Sequence, residues 1–116
     1  MPKDPFLENA VMDILWDAET WLTPRSVQNL LPEERTVGYT TVMTVMARLW
    51  KKGRLSRRRQ GRAFAYGPVN TRTEYAALRM EEILDTAGSR SVALAKFAEN
   101  LSASERRRLR GILEER

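Results

Sequence analysis

The densest chemistry in this chain is cationic. Residues 48–62 carry eight Lys or Arg and no Asp or Glu, from Arg48 through Lys51, Lys52 and Arg54 to Arg57-Arg58-Arg59 and Arg62. A solvated surface mixes its signs, so a one-sign block of this density points to a polyanion. Just before it, Tyr39-Thr40-Thr41-Val42-Met43-Thr44 sets short hydroxyls at helical spacing. Arginine presents a planar fork of donors that suits phosphate oxygens and the guanine edge, while threonine offers a hydroxyl and a methyl to a base. The joint pattern therefore points to nucleic acid, and to duplex DNA in particular.

On this reading Thr41, Thr44 and Arg48 are the base-reading candidates. Tyr39, Thr40, Lys51, Arg58, Arg59, Gln60 and Arg62 are candidates for backbone contacts, and strand register decides whether Arg57 turns inward. Two plainer readings compete. A solvated helix face explains exposure, but not the choice of hydroxyls and cations with no glutamate among them. An arginine-bearing edge strand guarded against aggregation explains the second half of the block, but needs no matching cationic helix beside it.

Other chemistries lack their equipment. The 116 residues include no cysteine and no histidine, which removes disulfides, thiolate nucleophiles, imidazole bases and nearly every transition-metal site. No carboxylate pair is framed by glycine-rich or aromatic loops, so no catalytic residue, metal ligand or cofactor site is expected. With no long apolar run and no cationic segment leading into an apolar one, neither a membrane span nor a signal peptide is expected, and the protein is expected in the cytoplasm. Charge is uneven as well: residues 1–70 hold eleven basic and seven acidic groups, against nine and eight in residues 71–116.

The elements that must hold the cationic block follow from periodicity. Asp4-Pro5 opens a first helix with Leu7, Val11, Ile14 and Leu15 at helical spacing, running to about Asp17. Thr23-Pro24 opens a second, with Val27, Leu30 and Leu31 inward and Pro32 as its stop. A third begins at Gly38 or Tyr39 and ends at Lys52 before Gly53; Val42, Val45, Met46 and Leu49 form its inner side, with Thr40, Thr41, Thr44, Arg48 and Lys51 opposite. Two strands at 55–59 and 62–66 then flank a Gln60-Gly61 turn, pairing Leu55 with Tyr66 and Arg57 with Phe64. Three helices followed by a basic hairpin is the order of a winged helix-turn-helix, in which the third helix enters the major groove and the wing meets the backbone or minor groove.

Residues 71–116 change character. Thr71-Arg72-Thr73-Glu74 fits a capping box opening a helix to Gly88, residues 92–101 read as another helix, and Ser102-Ala103-Ser104-Glu105 caps a last one. Their apolar positions, Tyr75, Leu78, Ile83, Leu94, Phe97, Leu101, Leu109, Ile112 and Leu113, are too few to bury one another, and a second copy is the simplest cover. The expectation is a mainly α chain with a small β-hairpin: a winged helix-turn-helix domain at 1–70, then a helical dimerisation region at 71–116. The other reading of these helices is that they fold back on residues 1–70.

An ordered set of local patterns resembles the penicillinase and methicillin-resistance repressor family of BlaI/MecI-like transcriptional regulators. It comprises Leu7-Glu8, Val11-Met12 and Ile14-Leu15-Trp16 in the first helix; Tyr39, Thr40-Thr41-Val42, Thr44, Arg48-Leu49 and Lys52-Gly53 in the third; and Tyr66 with Pro68 closing the wing. The resemblance implies a dimeric repressor on palindromic operators of β-lactamase or related antibiotic-resistance genes. It also implies a membrane sensor protease as partner, with induction by cleavage in the dimerisation region. The family commonly joins Asn to Phe at that bond, and the matching pair here is Lys96-Phe97, a departure at the first residue. A sister branch senses copper through cysteine pairs, which this chain does not have. Two other readings of the basic face stay open: an RNA-binding winged-helix module, and a protein-interaction adaptor that keeps the fold without binding nucleic acid.

Overall fold

A computed structural model describes residues 5–115, so the expected cap at Asp4 lies outside the described residues. The order is α1 (Pro5–Ala18), α2 (Pro24–Leu30), a 3-10 turn (Glu33–Arg35), α3 (Tyr39–Lys51), β1 (Leu55–Gln60), β2 (Ala63–Pro68), α4 (Arg72–Asp85), α5 (Arg90–Glu99) and α6 (Ala103–Glu114). Six helices and one antiparallel hairpin in this order form a winged helix followed by a helical segment. Among the described residues, no helix is long and apolar enough to cross a membrane. The chain divides into two compact units, Met1–Ala76 and Ala77–Arg116.

The first unit has one core. Leu7, Val11, Met12 and Leu15 of α1 meet Val27 of α2, Val42, Val45, Met46 and Leu49 of α3, Leu55 of β1 and Tyr66 of β2. The α3 set repeats at three and four residues, so one side of that helix is buried and the other is left outward. Thr23 caps α2 by accepting from the Ser26 amide at 3.2 Å, and Pro24 takes the first helical position, where no amide donor is missed. Val27 is buried as expected, but Leu30 is 57% exposed: α2 is only seven residues long, and Val27 and Leu31 supply its inner side.

α3 is anchored at its C-terminal end. Glu8 is buried at 1% exposure, and its Oε1 lies 3.7 Å from Nζ of Lys52, the C-cap residue of α3. Removing either member would break this ion pair in or near the core, the costly way to lose it. Gly53 then turns the chain at φ +77°, a conformation that glycine adopts without a Cβ penalty.

The hairpin differs from its sequence-based register. Leu55 faces Pro68, Arg57 faces Tyr66, Arg59 faces Phe64 and Gln60 faces Ala63, so the turn is Gly61-Arg62 rather than Gln60-Gly61. Gly61, at φ +63°, occupies the first central position, where a type II′ turn requires glycine. The slip is two residues, and an even slip keeps every side chain on its expected face. Leu55 and Tyr66 remain buried together, although they no longer face each other. The outer edge of β2 is also paired: Leu22 and Tyr66 exchange backbone hydrogen bonds of 3.0 and 2.8 Å, tying the turn before α2 to the wing.

Tyr75 is a correction. Expected on the dimerisation stripe, it is instead buried at 3% exposure in the first unit's core, its ring edge-on to Trp16 at 5.4 Å. Trp16 donates through Nε1 to the Asn70 carbonyl at 2.9 Å, and Arg72 reaches Asp13 and Asp17 at 2.6 and 3.2 Å, so the start of α4 is fastened to α1.

Past the wing the capping signals hold while the helix limits move. Thr71 and Glu74 at the head of α4 make the expected reciprocal pair of hydrogen bonds, 3.1 and 2.8 Å, and Ser102 and Glu105 do the same at the head of α6, also 3.1 and 2.8 Å. α4 stops at Asp85 rather than Gly88, and α5 runs two residues earlier than expected because Ser89 caps it through the Val92 amide. From Ala77 onward no described residue is buried, and Met80, Ile83, Val92, Leu94, Phe97, Leu109, Ile112 and Leu113 are all exposed. Leu78 and Leu101 are half-buried.

Candidate nucleic-acid interface

With Val42, Val45, Met46 and Leu49 packed inward, the turn of about 100° per residue fixes what α3 presents. Thr40, Thr44 and Lys51 lie on the outermost line and are exposed. Thr41 and Arg48, two turns apart, share one flank and are half-buried, as is Tyr39 in the first turn. The opposite flank holds Met43, Ala47 and Trp50. A division of the helix into apolar and polar sides passes over these three, yet Met43 is 44% exposed and Trp50 is 37% exposed. A helical projection was the signal that could have found them.

The wing presents Arg58, Arg59, Gln60 and Arg62, all exposed. Each strand arginine leans on an aromatic ring. Arg57 lies between Trp50 of α3, at 3.5 Å from the ring centroid, and Phe64 of β2, at 4.0 Å. Arg59 also covers Phe64 at 5.3 Å, and Arg58, on the other face of β1, covers Trp21 at 4.7 Å. A guanidinium over an aromatic face is held by the ring quadrupole while its edge stays open to hydrogen bonding. Trp21 also packs closely on the hairpin: a Cβ added at Gly67 would lie 3.5 Å from its ring, an ordinary van der Waals contact.

At the other end of α3, the Arg25 guanidinium sits 4.1 Å from the Tyr39 ring and donates to Gln28 Oε1 at 2.9 Å, while Gln28 Nε2 donates to the Val37 carbonyl at 3.2 Å. Arg25 is an exposed cation at the same end of α3 as Tyr39 and Thr40, and it lies outside the sequence block that suggested the interface. The fold thus gathers one cationic hydroxyl-bearing helix face, an arginine hairpin fastened to that helix, and a further arginine at the helix start. Such a surface can neutralise phosphates and present donors to base edges.

The model of the penicillinase repressor family matches residues 6–115. The chain belongs to that family. It is 43% identical over 112 residues to the transcriptional regulator BlaI of Mycobacterium tuberculosis, covering 94% of this chain and 81% of the relative. It is 30% identical over 122 residues to the penicillinase repressor of Bacillus licheniformis, covering 99% and 94%. A solution structure of the DNA binding domain of the repressor BlaI resembles it with a TM-score of 0.54 and 30% identity, covering 64% of this chain and 89% of that one. These relatives are named as a transcriptional regulator and a repressor, and this chain is a transcriptional repressor of BlaI type rather than an enzyme.

Proposed function

We propose that this penicillinase repressor homologue is a homodimer that binds palindromic operator DNA, with α3 in the major groove and the wing on the sugar-phosphate backbone. The observation that carries the reading is the Trp50–Arg57–Phe64 stack, which fastens an arginine hairpin to a helix whose outward face is hydroxylic and cationic. Arg58, Arg59, Gln60 and Arg62, with Tyr39, Thr40 and Lys51, supply affinity through phosphates, and Thr41, Thr44 and Arg48 read base edges.

The dimer reading rests on the second unit. An open apolar groove of about 500 Å³ is lined by Met80, Ile83, Leu84, Leu94 and Phe97 among others, and Leu109, Ile112 and Leu113 lie exposed on α6. A two-fold pair would set two recognition helices about 34 Å apart, one turn of duplex. Repression is then steric, through occupancy of promoter DNA.

Its targets on this reading are β-lactamase or related antibiotic-resistance genes, and it acts in the cytoplasm. Relief comes from a membrane sensor protease that cuts the dimerisation region near Lys96-Phe97. Both residues are exposed in α5, and a protease acting there must first unwind the helix, because scissile segments are bound extended.

The deciding experiment is selection of bound genomic fragments by the full chain at two salt concentrations, with light scattering for mass. An enriched two-fold site, a steep salt dependence and a dimer mass are expected. Absence of any enriched sequence, or binding indifferent to salt, would sink the DNA reading, and preferential capture of duplex RNA would replace it with an RNA module.

A further inference from the structure

Met43 has no role among the polar contacts proposed for α3, and the fold does not cover it. Its side chain is 44% exposed on the outward half of the helix, one turn before Ala47 on the same flank and beside Thr40 and Thr44. Ala47 is the smallest side chain on that face, so the helix backbone can approach a groove floor closely there. Trp50, the other large apolar side chain of this flank, carries the Arg57 guanidinium on its ring, so the apolar surface left at Met43 is too small for a protein-docking patch, and the hydroxyls and cations around it are those of a nucleic-acid face.

We infer that Met43, with Ala47 beside it, reads the 5-methyl group of a thymine in the operator half-site. This rests on the DNA reading above and adds the chemistry of one base position to it. The argument is elimination by surface type. In the major groove, guanine shows two acceptors, adenine an acceptor and a donor, and cytosine a donor; thymine alone adds a methyl group to its acceptor. A thioether pressed on any of the first three would desolvate a polar edge and return at most the weak acceptor of its sulfur, which disfavours those bases. Against the thymine methyl both partners are apolar, and the flexible thioether adapts to the gap. Thr41, Thr44 and Arg48 can hydrogen-bond, so the two kinds of readout are divided along one helix.

The test is a double-substitution cycle on the full chain. A half-site is first obtained by selection from random duplex, and each of its thymines is then replaced in turn by deoxyuridine, which removes only the methyl. For the unaltered protein, one thymine is expected to lose about fourfold in affinity, the worth of one buried methyl-sized group. In Met43→Ala that loss shrinks toward one-fold, while Met43→Leu retains most of it. Met43 is exposed, so these variants leave the core intact, and equal thermal midpoints check this. An enriched half-site in which no thymine responds, or in which Met43→Ala shows the same loss as the unaltered chain, overturns the inference and leaves the DNA reading standing. No enriched half-site at all overturns both.

Discussion

Replacing Arg57 by alanine tests whether the arginine at the centre of the basic block is a DNA contact or a fastening. Its guanidinium is held between two rings, at 3.5 Å from the Trp50 centroid and 4.0 Å from that of Phe64, and the residue is half-buried. One such contact contributes about 0.5–1 kcal/mol when exposed and about 2 kcal/mol when desolvated, so two in this setting suggest a loss of about 2 kcal/mol. For a unit of this size that lowers the thermal midpoint by roughly 8–16 °C. Arg57→Lys keeps the charge but not the flat stacking surface, and should lose most of the same stability. Binding should respond differently: below the melting range, the slope of log affinity against log salt should stay near that of the unaltered chain in both variants. For Arg58→Ala or Arg62→Ala it should become shallower by about 0.9, the share of one phosphate. A thermal midpoint unchanged in Arg57→Ala, with a slope shallower by about one, would refute the reasoning and put Arg57 on the backbone of the DNA.

Arg48→Ala should weaken specific binding by about 1–3 kcal/mol and spare binding to random duplex; equal losses on both, measured by titration at fixed salt, would remove it from the base-reading set. Leu109→Asp, at an exposed position of α6, should give a folded monomer by light scattering with operator affinity down by about 100-fold; an unchanged dimer mass would move the interface elsewhere. The Ser102 amide, and after it the Ser102 hydroxyl, hold the Glu105 carboxyl below the usual glutamate value of 4.5. Its contribution to α6 is therefore present above that value and lost as pH falls through the lowered one, so helical circular dichroism should decline more steeply in acid than for Glu105→Gln. Coincident acid profiles for the two would show that the capping box does not carry the dependence.

The parts legible in the sequence were those governed by local rules. The Thr23, Thr71 and Ser102 caps, the turn at Gly53 and the inner face of α3 each depend on a few neighbouring residues, and each formed as its pattern required. The hairpin register was not legible, because Gly61 can serve a two-residue turn from either central position, and only the wider pairing chooses between them. Tyr75 was misassigned for a related reason: its spacing matches the stripe of α4, yet its ring fills the space beside Trp16, 59 residues earlier. Of the candidate site, the cations were visible as a block, but their aromatic supports were not. Trp21, Trp50 and Phe64 lie in three different elements or turns, and Arg25 lies outside the block altogether.

Among the described residues the second unit has no buried side chain, and with the proposed second copy as its cover, copy number becomes a regulatory variable. On the reading that a second chain covers its apolar face, the assembled fraction follows mass action, and so does whatever stability this segment gains from assembly. Growth in cell volume dilutes the chain unless synthesis keeps pace, and the balance between single and paired chains moves with its concentration. Below some threshold the operator meets lone half-readers, and transcription escapes with no inducer present. Gene dosage and growth rate would then act on the same equilibrium as a cut in α5, and a modest change in expression of the repressor could release its targets.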